Sequence, residues 1–206
     1  ITCRDWSSDV CSSDLVSNQV LSLDTLFKQM GFNALIVSQW HHENVTSFRK
    51  NLDELDADER DIVILHFYGY AEYSVNAVLN CNTTRILIYH NITPADFFDK
   101  ASSLYEFCNK GRQQLAELLP KFHFFWADSA YNLDELKSLG APADRSAVIP
   151  IIVPEPEIDS HELRESGSWL FVGRIAPNKK QLDIINLFSS IRSEERRVGK
   201  ECRSRW

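Results

Sequence analysis

Apolar residues fall in two rhythms along this chain, and the switching between them predicts most of its elements. Val16, Val20, Leu23, Phe27 and Met30 recur at steps of four and three, the stripe of an amphipathic helix that Gly31 closes as a C-cap. Ala34 to Val37 then reads as a buried strand. His41 to Glu59 is polar and acidic, a surface connection with room for a short helix. Asp61 to His66 and Ile86 to Tyr89 are apolar, β-rich runs without polar alternation, which suits strands covered on both faces. Tyr73 to Leu79 between them reads as a short helix. After Pro94, Leu104, Phe107, Cys108, Leu115, Leu118 and Leu119 mark the buried side of a helical region that Pro120 closes. Phe122 to Ala127 is the next strand, Asp128-Ser129 an N-cap for a helix to Leu139, and Gly140 its end. Ala147 to Val153 is a further strand.

Pro154 begins a polar stretch to Gly167 with the character of an interdomain linker. Trp169 to Val172 then starts a new strand, Gly173 to Lys180 a turn, and Leu182 to Ile191 a helix with Leu182, Ile185 and Phe188 spaced for burial. The order is βαβα throughout, which predicts a parallel sheet with right-handed crossovers. A helix opens the pattern with no strand before it, so a first strand is expected to be missing.

The two ends do not share these rhythms. Arg4 to Leu15 repeats Ser-Ser-Asp with little to bury, and Ser193 to Trp206 is dense in charge. Both resemble translated sequencing adapter, so residues 1–15 and 192–206 are left out of the fold prediction. What remains divides into a first domain at 16–153, a linker at 154–167 and the start of a second domain at 168–191.

Charge and cysteine content narrow the function classes. The 206-residue chain carries a formal net charge of −7, and the middle without its ends is slightly more acidic still. That balance argues against general nucleic-acid binding, whose phosphate contacts need clustered Lys and Arg. No stretch is long and apolar enough for a membrane-spanning helix. Of the five cysteines, Cys81 and Cys108 lie in the middle, without a CxxC or metal-ligand spacing, as for packed thiols in a reducing cytoplasm. Asn-x-Ser/Thr triplets begin at Asn44, Asn82 and Asn91 and carry no meaning without secretion. His41-His42 is no metal pair, since adjacent side chains point apart on either regular element.

Two stretches could carry chemistry. In an open parallel sheet, ligands collect outside the carboxyl ends of the strands. His90 and Asn91 follow one apolar run at that edge, and His66, Tyr68 and Gly69 end another. The second stretch is Gly173 to Lys179. Gly173 permits a tight turn, the following helix presents free N–H groups, and Arg174 and Lys179 add full charges, a compact site for a diphosphate. No Walker loop or G-x-G-x-x-G appears, so ATPase and nicotinamide readings lack their fingerprint.

These segments together bring a family into view. LFVGRIAPNKKQLDII resembles the start of the second domain in family-4 glycosyltransferases of the GT-B fold. YHNITPADFF, ADSAYNLDELKSLGA, VIPIIV and VSNQVLSLDTLFKQMGFNALI resemble first-domain segments of the same family, in its order, over nearly all of 16–191. The implied fold is α/β, a Rossmann-like parallel-sheet domain plus the first strand–helix unit of the nucleotide-sugar domain. The implied activity is transfer of a sugar, with retention, from a nucleotide-sugar donor to a hydroxyl of a saccharide or lipid-linked acceptor. On that resemblance His90 is the catalytic-site histidine facing the donor sugar. Gly173, Arg174 and Lys179 hold the diphosphate, and their charge stabilises it as it leaves without need of a metal or other cofactor. His66, Tyr68 and Asn91 are weaker acceptor or sugar contacts, and Asp128 and Ser129 match a motif as helix cap first. The implied location is the cytoplasm, peripheral at the membrane if the acceptor is a lipid.

Departures from the family pattern are definite. Lys180 stands where the family usually has glycine. The glycine-rich loop after the first strand and the carboxylate motif that grips donor sugar and ribose are both absent. The resemblance therefore implies a fragment, interrupted at both ends, that folds in part and turns over little by itself. A nucleotide-sugar epimerase or hydrolase of the same fold is one alternative. A non-catalytic nucleotide- or sugar-binding module is another.

Overall fold

The computed structural model describes residues 15–38, 49–152, 171 and 179–191. Helix α1 (Leu15–Gln29) comes first, then short strands β1 (Ile36–Ser38) and β2 (Arg49–Asn51), which pair in parallel. Strands β3 (Ile62–Phe67), β4 (Thr84–Tyr89), β5 (Phe124–Ala127) and β6 (Ser146–Val148) form a second sheet in that spatial order, all parallel. Its crossovers carry α2 (Glu72–Asn80), α3 (Ser103–Leu118) and α4 (Ala130–Ser138). This is the parallel α/β arrangement that the alternating pattern predicts, and it is consistent with a Rossmann-like domain.

Side-chain parity divides the sheet into two faces. Leu65, Phe67, Leu87, Tyr89, Phe125 and Ala127 point one way and bury against Val75 and Val78 of α2, Leu115 and Leu118 of α3, and Leu136 of α4. Ile64, Ile86 and Ile88 point the other way, where Leu23 and Phe27 of α1 cover them beside Trp126 and Ile152. Strands clad on both faces explain the unbroken apolar runs.

The helix ends are built as their sequences suggest. Ser102 caps α3 by accepting from the Tyr105 amide at 3.2 Å, and Ser129 caps α4 by accepting from Asn132 at 3.2 Å. Gly31 and Gly140 take left-handed backbone (φ 86° and 108°) past α1 and α4. In each case the next amide reaches back to the fifth residue before it, Phe32 to Phe27 O at 2.9 Å and Ala141 to Leu136 O at 3.0 Å. Apolar contact closes both ends: the Phe27 and Phe32 rings meet edge to face at 6.2 Å, and Ala141 and Leu136 are buried.

Several elements depart from the expected bounds. Residues Arg49–Asn51 form a strand although no apolar residue marks it, because β2 pairs with β1 through the backbone. The strand expected at Ala34 to Val37 begins only at Ile36, and the one expected at Ala147 to Val153 runs only through Ser146–Val148. Leu104, expected on the buried side of α3, is exposed. Residues 181–191 are helical over the expected 182–191, yet of the three residues spaced for burial Leu182 and Ile185 are 74% and 57% exposed and Phe188 alone is half-buried. An apolar stripe is buried only against a neighbour, and no described residue covers these two. The linker and Trp169, Leu170 and Val172 of the expected strand lie outside the described residues.

Close packing fixes the loop that leaves β3. Gly111, inside α3, lies against the backbone of Gly69 and Tyr70, and the Ala71 amide donates to Gln114 Oε1 at 2.9 Å. A Cβ on Gly111 would stand 2.8 Å from the Tyr70 nitrogen and 2.9 Å from the Gly69 carbonyl carbon, backbone atoms that cannot turn aside. Gly111→Ala is expected to cost about 1–3 kcal/mol in urea denaturation despite alanine's higher helix propensity. A stabilised variant would show that α3 does not pack this tightly on the loop.

Candidate functional site

Three strands deliver one ionisable side chain each to the carboxyl edge of the four-stranded sheet. His66 is the penultimate residue of β3, in register with Ile88 and on the same face as Ile64. It lies within the strand, not after it, and is 2% exposed. His90 follows β4, and its amide still donates to Phe67 O at 2.9 Å, one bond beyond the ladder. It thereby keeps the parity of Ile86 and Ile88 and sits diagonally ahead of His66. Asp128 follows β5 immediately before the cap of α4.

The two imidazoles are bonded to each other, with His66 Nδ1 2.8 Å from His90 Nε2. Their ring centroids are 5.1 Å apart and their planes differ by 11°. That separation is about the largest that such a nitrogen–nitrogen contact allows, so the rings meet nose to nose near a common plane. They do not lie face on face. Asp128 Oδ2 stands 3.6 Å from His90 Nδ1, an ion-pair distance longer than a hydrogen bond. The Asp128 carboxylate also accepts from the Asn132 side chain. The outer nitrogens, His66 Nε2 and His90 Nδ1, are buried without a hydrogen-bond partner among the described residues.

Comparison with family models, with curated proteins and with solved structures finds no match for the chain. The functional reading therefore stands on these side chains and on their place in the sheet.

A second polar group holds the turn that carries His90. Asn91 takes a left-handed conformation (φ 65°), which asparagine tolerates better than most residues, and this turns the chain sharply away from the sheet. Tyr89, on the opposite face from His66, donates its hydroxyl to Glu135 Oε2 at 2.7 Å and accepts from the Ile92 amide at 3.1 Å. Arg112 of α3 binds both Glu135 and the Ile92 carbonyl. Both backbone groups of Ile92 are thus held, and Ile92 itself is fully buried. Burial first, then the bond to Glu135, push the Tyr89 hydroxyl far above its ordinary range, so it stays a donor.

The other sequence candidates meet different fates. Tyr68 is half-buried just beyond β3, at the same edge as the histidines. Lys179 is exposed at the approach to the helix 181–191, while Gly173 and Arg174 lie outside the described residues. Cys81 and Cys108 are free thiols, half-buried and buried, and burial pushes the Cys108 thiol up. Among the described residues no group of three or more His, Cys, Asp or Glu is arranged to hold a metal ion, and no helix is long and apolar enough to cross a membrane. A cleft of about 390 Å³ opens between the Leu52–Ala57 segment and α2, with Asp53, Asp56, Asn76, Asn80 and Asn82 among its walls. It shares no residue with the histidine pair and none of its lining groups is a buried, unpartnered one.

Protonation couples this edge to stability. Burial first, and the neighbouring His90 second, hold the His66 imidazole well below its ordinary value. The unfolded chain takes up that proton near pH ~6.5 and the folded chain does not, so acidification from there favours unfolding. For Asp128, burial opposes ionisation, but His90, Asn132 and Ser129 outweigh it and leave the carboxyl lowered. Its contribution is present above about pH 4 and lost as pH falls further. The urea midpoint is expected to fall between about pH 6.5 and about pH 5, and His66→Gln is expected to flatten that window. Parallel pH profiles for both proteins would contradict a neutral, buried His66.

Proposed function

We propose that this chain carries the acceptor-side domain of a sugar-transferring enzyme of the GT-B type, with the start of its nucleotide-sugar domain at 168–191. The observation that carries the reading is the line of His66, His90 and Asp128 across the carboxyl ends of β3, β4 and β5. Ligands of parallel α/β sheets gather at that edge, and imidazoles there suit a hydroxyl that must lose its proton. Agreement of the ordered segments in 16–191 with family-4 glycosyltransferases supports the same reading.

In this proposal the parent enzyme moves a sugar from a nucleotide diphosphate to an acceptor hydroxyl with retention. His90 and His66 act as one bonded pair at the carboxyl edge that receives the ligand, with Asn91 and Tyr68 beside them along that edge. Arg174 and Lys179 hold the departing diphosphate through charge and the helix N-terminus at 181. The acidic body leaves that turn as a local basic feature.

Titrating UDP-, GDP- and ADP-linked hexoses and free oligosaccharides into isotope-labelled chain tests the reading. At least one is expected to shift the amide signals of His90, Asn91 and Asp128 saturably, and His90→Ala to weaken that binding tenfold or more, on the order of 1.4 kcal/mol. Saturable binding that leaves those three signals unmoved, or no binding by any of them, would contradict it.

A further inference from the structure

A neutral imidazole has one N–H and one lone pair, so the 2.8 Å contact between His66 Nδ1 and His90 Nε2 holds a single hydrogen. Two arrangements are possible, and Asp128 decides between them. An ionised carboxylate only accepts, so with its Oδ2 3.6 Å away, His90 Nδ1 carries the ring proton. His90 Nε2 is then the lone pair, His66 Nδ1 donates to it, and His66 Nε2 is left as a bare lone pair. The opposite arrangement would point a lone pair at the carboxylate and bury the His66 Nε2–H without an acceptor, two penalties at once.

His66 Nε2 is therefore a base with no hydrogen-bond partner among the described residues, on a residue 2% exposed. We propose that His66, His90 and Asp128 work as one proton relay, in which a proton accepted at His66 Nε2 emerges as positive charge on His90 beside Asp128. The step balances within the chain. A hydroxyl gives its proton to His66 Nε2 and keeps the electron pair of the O–H bond. The His66 Nδ1 hydrogen crosses to His90 Nε2, which leaves His66 neutral in its other tautomer. His90 becomes an imidazolium with hydrogens on both nitrogens, and its Nδ1–H faces the carboxylate.

Geometry favours this over charging His66 itself. The rings lie in line, so the hydrogen moves along the nitrogen–nitrogen axis without either ring turning. The charge leaves the buried β3 position and arrives one ring nearer the only carboxylate in contact with the pair among the described residues. Glu135 is held by Arg112 and Tyr89 on the opposite face of the sheet, and Asp24 of α1 is paired through Oδ2 with Lys28 at 2.8 Å while its Oδ1 is buried without a hydrogen-bond partner among the described residues. The relay needs a hydroxyl-bearing ligand but not sugar transfer as such, so it extends beyond the proposed activity.

Imidazole ¹⁵N spectra of the histidine-labelled 206-residue chain across pH test it. At neutral pH or above, both rings are expected as the Nδ1–H tautomer. On acidification one proton should enter the pair, with His90 showing the imidazolium pattern and His66 switching to the neutral Nε2–H tautomer in the same step. Asp128→Asn is expected to remove the preference for Nδ1–H on His90 and to shift that step to lower pH, effects that a merely structural role for Asp128 would not produce. The wild-type spectra decide the matter even if that variant fails to fold. A His66 ring that becomes the imidazolium first, a His90 ring found as Nε2–H in the wild type, or two rings titrating independently would each overturn the relay.

Discussion

Two imidazoles joined at 2.8 Å inside a folded sheet impose conditions on everything around them. They share a single hydrogen, so only one arrangement of donors satisfies the carboxylate at the end of the line. Burial opposes charge on His66, which directs any proton toward His90 and Asp128. The contact also requires adjacent parallel strands in one register, since a slip of one residue would turn His66 to the opposite face. Sheet order, strand register and the chemistry of the edge are thus one constraint seen at three scales.

The turn after β4 shows how the fold protects that geometry. Asn91 leaves the strand in a left-handed conformation, and without support such a turn would let His90 swing. Tyr89 supplies the support from the opposite face, because alternate residues of one strand point to opposite sides. Through its hydroxyl, Glu135 of α4 and Arg112 of α3 reach the backbone of Ile92. The helices that cover one face therefore hold the histidine that serves the other.

Much of this architecture was legible in the residues. The three-and-four spacing of Val16 to Phe27, the apolar runs at 61–66 and 86–89, and the capping residues Gly31, Ser129 and Gly140 each act locally, so each could be read in place. His66 and His90 were legible as residues of one sheet edge, because an apolar strand interrupted by histidine is conspicuous. Their bond was not legible, since pairing depends on a register that only β3 against β4 establishes. Glu135 and Arg112 look like solvated helix positions, and only the hydroxyl of Tyr89, at the end of the apolar run that starts at Ile86, hints that a partner is needed. Strand β2 escaped because backbone pairing leaves no mark on Arg-Lys-Asn. The helix 181–191 was legible as an element, while the exposure of Leu182 and Ile185 depends on neighbours that its own spacing cannot report.

The histidine contact itself can be observed directly. A scalar coupling between nitrogens is transmitted across a hydrogen bond and across no other kind of proximity at this distance. In ¹⁵N-histidine-labelled protein at neutral pH, the account predicts a resolved coupling that links His66 Nδ1 to His90 Nε2. Sharp signals from both rings with no such coupling, and free exchange of their ring protons with solvent, would contradict it.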